Sequence, residues 1–189
     1  EAGYTVNRDG PGVRCYGTDA DYTGGWTVRG ARVELSDVLL SCHALINMPV
    51  LKSHMLSGIS FALKNHFGTC SNPGGLHASM GRSMAELNAL GPIKERTRLV
   101  IGDALAACLR YAGAWPYWKA DWQGDSILMS FDPVAQDTVG YQLLSAQMAE
   151  VGIDTRPAES RAMPCLESGA ELGLGTNDVA QIDLAELTL

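Results

Sequence analysis

The sequence predicts an α/β fold: a single layered domain with a mostly parallel central sheet flanked by helices. Three observations carry that expectation. Short apolar runs at 44–50 and 98–104 read as buried strands, segments of helical spacing separate them, and charged residues follow the strands, as at ligand crevices of open α/β sheets. A length of 189 residues suits one compact domain with a self-supporting core.

Residues 1–30 are rich in Gly, Asp and Tyr and read as loops and short strands. The opening stretch EAGYTVNRDGPG reads as the end of a helix running into a strand, as though the chain were entered partway through an α/β unit. Arg29 to Leu35 alternates enough for a strand, Ser36 to Cys42 suits a short helix capped by Ser36, and Ala44 to Val50 is a buried strand ending at Pro49. From Ser57 to Phe67 the apolar residues Leu56, Ile59, Leu63 and Phe67 recur at helical spacing and Gly68 stands at the C-cap, so a helix is predicted there. Its other side would carry a polar stripe of Ser57, Ser60 and Lys64.

Thr69 to Met80 has the Asn-Pro-Gly-Gly chemistry of an irregular loop, and helical spacing returns over Arg82 to Leu90. Arg98 to Ala104 is a strand delivering Asp103 at its end. Residues 111–124 gather Trp115, Trp118 and Trp122 with Tyr111 and Tyr117, which suits an aromatic lid or rings closing over the core. Ile127 to Phe131 is a further strand. Asp132-Pro133 starts a helix that runs to about Glu150 and ends at Gly152. The region around Arg156 to Pro164 reads as a connector, and Val179 to Leu184 as an edge strand.

Fourteen basic against 21 acidic residues give a net charge of −7, which offers no general field for nucleic acid or an anionic membrane. No apolar run approaches the roughly 18–20 residues of a membrane helix, so no membrane insertion is expected and the chain should be soluble. Five separated cysteines (Cys15, Cys42, Cys70, Cys108 and Cys165) show no C-x-x-C pair, so no iron–sulfur cluster is expected on this chain. The first residue is Glu1, which leaves open a processed or trimmed protein, cytoplasmic or exported to the cell envelope after signal removal. No G-x-G-x-x-G after a strand, Walker lysine or G-x-S-x-G elbow is present, which weakens nucleotide and serine-hydrolase readings.

The stretch INMPVLKSHMLSGISFALKNHFG, Ile46 to Gly68, combines a strand, Pro-x-x-Lys-x-His and a helix ending Lys-Asn-x-x-Gly. With NPGGLH through His77, AELNAL, LVIGDAL containing Asp103, DPVAQDTVG and ELGLGTND, it resembles family 362 of the domains of unknown function over roughly residues 36–185. The resemblance implies an α/β fold with no agreed activity, found beside ferredoxin-like iron–sulfur modules in some members and behind an export signal in others. It also implies that residues 1–35 are the remnant of a longer N-terminus, with 36–189 the family core of the same compact domain. The ASMGRS segment after His77 lacks the Cys-Asp-Pro-like sequence of the nearest relatives.

Read physically, Lys52, His54 and Lys64 place two cations and an imidazole around a strand end and the following helix, and with Asn65 they form a candidate anion site. Free N–H groups of the helix start near Ser57 would add to it. His54, His77 and Asp103 are the candidate catalytic residues, suited to proton transfer beside a bound anion. Asp132 and His77 are candidate ligands of a divalent metal, though no tight His-x-x-x-His spacing joins them. For Asp132 the alternative is helix capping, for Asp137 a helix-surface or core salt-bridge role, and His43 and His66 look structural. The sequence therefore points to an enzyme acting on a small anionic substrate, carboxylate or phosphate, by acid/base or metal-assisted chemistry. The alternatives are an iron–sulfur-associated accessory protein with a redox partner, or a noncatalytic binding or assembly protein that self-associates through the aromatic segment.

Overall fold

The structure is a computed structural model that describes residues 21–110 and 119–188. The first elements are β1 (Tyr22–Val28) and β2 (Ala31–Ser36), an antiparallel hairpin. Its two-residue turn has positive φ at both positions, 50° at Arg29 and 80° at Gly30, the geometry that follows the natural strand twist. The strand expected at 29–35 thus begins only after Gly30 and gains a partner, β1. The short helix α1 (Asp37–Ser41) follows, but Ser36 makes no side-chain cap bond; Asp37 N–H donates instead to the Asp21 carbonyl.

The main sheet holds β3 (Leu45–Asn47), β4 (Val50–His54), β5 (Gly58–Ser60), β6 (Thr97–Cys108) and β7 (Trp122–Ser130). β3 and β4 lie one after the other along β6, both parallel to it, so the apolar run at 44–50 is a strand interrupted at Met48-Pro49. The Asp103 N–H bridges this break by donating to the Pro49 carbonyl at 2.8 Å. β5 pairs antiparallel with β4, and β7 antiparallel with β6. Three of the five strands share one direction, which gives the mostly parallel sheet of an α/β domain.

The helices are α2 (Ala62–Asn65), α3 (Met80–Asn88), α4 (Gly91–Lys94), α5 (Pro133–Glu150) and α6 (Arg156–Glu171). Against one sheet face, α5 and α6 bury Leu51, Ile59 and Phe61 with Tyr141, Leu144 and Ala162. Each such large apolar side chain contributes about 1.5–3 kcal/mol on burial. A second apolar cluster joins the hairpin to α3 and α6 through Val33, Leu35, Met84, Leu87 and Leu166. On the far face, neighbouring strands align Ile101 with Met129 and Asp103 with Ile127, and Met129 and Ile127 are exposed.

Several elements differ from expectation for identifiable reasons. The helix predicted over 57–67 is instead strand β5, then the four-residue α2 and a 3-10 turn at His66–Thr69. Gly58, at φ +73°, turns the chain into a hairpin, and an added Cβ there would meet the Ala158 carbonyl oxygen of α6 at 2.1 Å. Part of the loop predicted over 69–80 is a 3-10 helix, Gly74–Ser79, leading into α3. The connector predicted at 156–164 is the start of α6: Pro157 suits a first turn, and the buried Ala158, Ala162, Cys165, Leu166 and Gly169 form one stripe that Pro164 masks in the sequence. Val179–Gln181 is a 3-10 turn rather than an edge strand. Trp122 begins β7 and packs on the sheet core, while Tyr111, Trp115, Tyr117 and Trp118 lie outside the described residues. No described helix is long and apolar enough to cross a membrane.

Candidate functional site

Strand β4 alternates, with Leu51 and Ser53 buried toward the helices and Lys52 and His54 on the other face. In the hairpin register Lys52 stands opposite Ser60 and His54 opposite Gly58. The chain then turns into α2, which carries Lys64. That helix is too short to hold itself together in isolation. Its first two free N–H groups, of Ala62 and Leu63, donate to the two carboxylate oxygens of Asp137 on α5, at 2.6 and 3.0 Å. Its carbonyls accept from side-chain amides, Ala62 from Asn47 at 2.9 Å and Leu63 from Asn88 at 2.6 Å. Lys64 is therefore placed by contacts from three separate elements.

The helix start expected to help bind an anion is thus occupied from within the protein. Asp137 is fully buried, and burial pushes its carboxyl up to about 7 although the two N–H bonds pull the other way. Its role is to cap α2 across the core, which replaces the surface or salt-bridge role expected for it.

Around β4 and α2, basic neighbours act on His54 and on Lys64. His54 is held down to about 3, first by burial and then by the charges of Lys64, His77 and Lys52. Lys64 is lowered to about 8, by burial and by Lys52. Lys52 is also lowered by burial, partly offset by Cys108, its neighbour in the register with β6. The Lys64 ammonium lies 4.8 Å from the centroid of the Phe67 ring. Such a contact favours the charged form by about 0.5–1 kcal/mol at exposed sites. The displacement of Lys64 corresponds to about 3 kcal/mol, so burial and the second lysine outweigh the ring.

The two histidines hold opposite tautomers, each fixed by main-chain atoms. Nδ1 of His54 accepts from the N–H groups of Leu56 and Ser57, at 3.2 and 3.3 Å. A neutral His54 therefore carries its proton on Nε2 and acts as a donor there. Nδ1 of His77 lies 2.6 Å from the Pro73 carbonyl, which can only accept, so Nδ1 holds the proton and Nε2 keeps a lone pair. The His77 ring also packs edge-on against Phe67. A groove of about 420 Å³ opens beside His77, lined also by Leu56, Ser79, Met80, Arg82 and Arg161. Arg82 is paired with Glu86 and Glu171.

The remaining expected site residues each have hydrogen bonds or surroundings of their own. Asp103 lies within β6, which continues to Cys108, rather than at a strand end; its Oδ1 accepts from Leu105 N–H at 2.9 Å, where the register with β7 shifts. Asn65 donates to Asn47 Oδ1 at 2.7 Å. Asp132 caps α5, Oδ1 accepting from Val134 and Ala135 and Oδ2 from Thr176. Gly175 makes that last approach feasible, since a Cβ there would sit 1.7 Å from Asp132 Oδ1. Among the described residues no three His, Cys, Asp or Glu side chains form a group able to hold a metal, so Asp132 and His77 belong to no such set. His66 is buried and lowered to about 4 by that burial, with Nδ1 on Thr69 Oγ1 at 3.2 Å, as expected of a structural histidine. His43 is exposed.

Sequence reasoning missed Arg82 and Arg161, which tertiary packing of α3 and α6 brings to the groove, and missed the asparagines that hold α2. The family model described as Domain of unknown function (DUF362) matches residues 1–142. The chain belongs to this family. No curated protein and no solved structure matches the chain. The Pro-x-x-Lys-x-His stretch of the sequence runs from Pro49 through β4, and the Lys-Asn pair forms the last two residues of α2.

Proposed function

We propose that this protein is an enzyme that binds a small carboxylate- or phosphate-bearing substrate between the end of β4 and α2 and moves a proton on it. The observation that carries this reading is the effect of Lys64, His77 and Lys52 on His54, and of Lys52 on Lys64, at one half-buried place. Bringing like charges together out of water is unfavourable, and a bound anion relieves it. The lysines supply charge. His54 Nε2–H donates a hydrogen bond to a substrate oxygen, and His77 Nε2 accepts the proton. Asp103, Asn65 and Asp132 have no part in this assignment, because their polar atoms serve the bulge of β6, Asn47 and the cap of α5.

Calorimetry with inorganic phosphate and with malonate tests the reading. Saturable binding that weakens at least tenfold in Lys52→Ala and in Lys64→Ala supports it. No binding of either anion, or binding unchanged in both variants, overturns it.

A second reading, a noncatalytic assembly protein, draws on the exposed Ile127, Met129 and Phe131 in and just after β7, with Phe131 85% exposed. Concentration-dependent sedimentation that is lost in Met129→Lys favours it over the first.

A further inference from the structure

We propose that Lys64 is a nucleophilic amine that condenses with the carbonyl group of a small oxo acid to form an imine. This deepens the anion-site reading and rests on it: the substrate is assigned a ketone or aldehyde beside its carboxylate. A lysine attacks carbonyl carbon only as the free amine, and two surroundings favour that form, an apolar wall and a neighbouring cation. Lys64 has both. It is half-buried, and that burial outweighs the pull of the Phe67 ring toward the charged form; it also follows β5, where Ser60 stands opposite Lys52. No carboxylate of the described residues forms an ion pair with it. With its pKa at about 8, roughly a tenth of the Lys64 amine is unprotonated at neutral pH, against about one part in three thousand for an ordinary lysine.

The chemistry balances without an added reactant. The Lys64 Nζ lone pair attacks the carbonyl carbon, a C–N bond forms, and the C=O π pair moves to oxygen. Transfer of a proton from nitrogen to that oxygen gives a carbinolamine. A further proton, taken from water, on the hydroxyl lets it leave as water while the nitrogen lone pair forms C=N, which leaves a protonated imine with no net oxidation or reduction. His54 Nε2–H, fixed by the turn that follows β4, is a donor to the substrate oxygen. His77 Nε2 can then remove a proton from the carbon next to the iminium, giving an enamine that regains a proton from water. Lys52 keeps the role of charge beside the carboxylate. The predicted minimal reaction is exchange of hydrogens at the carbon next to the carbonyl.

The chain has four lysines, Lys52, Lys64, Lys94 and Lys119, and the last two are exposed, so a covalent trap maps cleanly. The protein is incubated with pyruvate and sodium cyanoborohydride, and intact mass and peptide mapping are read. The expected result is one reduced pyruvyl group on Lys64, absent in Lys64→Arg. Pyruvate methyl hydrogens should also exchange in deuterated water, at least tenfold more slowly with His77→Gln. No adduct, or adducts spread over Lys94 and Lys119 without enrichment at Lys64, overturns the inference. Phosphate binding is measured on the same sample. Phosphate binding without a Lys64 adduct refutes imine formation alone, whereas loss of both refutes the anion site as well.

Discussion

Replacing Asp137 by asparagine tests whether a buried carboxylate on α5 is what holds α2, and with it Lys64, in place. Each oxygen of Asp137 accepts one main-chain N–H, at 2.6 and 3.0 Å. Hydrogen bonds to a charged group contribute about 1.5–3 kcal/mol each, while a neutral one contributes about 1 kcal/mol. Asparagine keeps one acceptor and turns an NH2 toward the other N–H, leaving a buried donor unsatisfied at a cost of about 1–3 kcal/mol. Burial of the charge offsets part of this in the wild type, so the expected net loss is about 2–4 kcal/mol. Urea denaturation at pH 8, with equal slopes for the two proteins, gives the number. The pH dependence has a fixed sign. The folded-state pKa of Asp137 is raised from 3.8 to about 7, so the wild type has the full stabilising contribution of this group below about 3.8 and loses it as pH rises through about 7. The gap between wild type and Asp137→Asn should therefore be wider at pH 5 than at pH 8. A loss under about 0.5 kcal/mol, the scale of an ordinary surface substitution, would refute the capping role, and a gap that widens with pH would refute the raised pKa.

Phosphate affinity should fall as pH rises past about 8, since Lys64 then loses its proton; calorimetry at pH 7 and pH 9 reads this, and equal affinities would remove Lys64 from the site. His54 should remain neutral with its proton on Nε2 down to about pH 4, a pattern visible in nitrogen-15 spectra of the imidazole; titration near 6.5 would show that burial and the neighbouring cations do not act on it as described. Gly58→Ala should lower stability by more than about 2 kcal/mol, because the position combines a positive φ with a clash against α6, and a melting temperature within error of wild type would refute that packing.

Much of the framework could be read from local signals. Asp132-Pro133 and Gly152 bracket α5 because capping is a matter of neighbouring residues, and the cap bonds lie where the sequence puts them. Pro49 punctuates the chain as read, but Lys52 and His54, expected to follow a strand ending there, lie within β4, which begins after it. The hairpin at 50–60 was hidden because Ile59 and Leu63 fit a helix as well as they fit the inward face of a strand followed by a helix. Helix α6 was hidden by Pro157 and Pro164, which weigh against a helix in any local reading. The cap that Asp137 provides spans about 75 residues of sequence, so nothing near either partner announces it. The groove beside His77 has the same cause, since Arg82 and Arg161 meet only through the packing of α3 on α6.

Both histidines have one ring nitrogen bonded to peptide groups: Leu56 and Ser57 lend N–H groups, and Pro73 lends a carbonyl. The proton pattern of the site is thus written in the path of the backbone, and the buried Ser57 hydroxyl, donating to the Ile59 carbonyl at 2.6 Å, belongs to the turn that sets this path. A search for the same chemistry in other chains should accordingly look for an imidazole two and three residues ahead of a tight turn, and a second one four residues beyond a carbonyl that faces it.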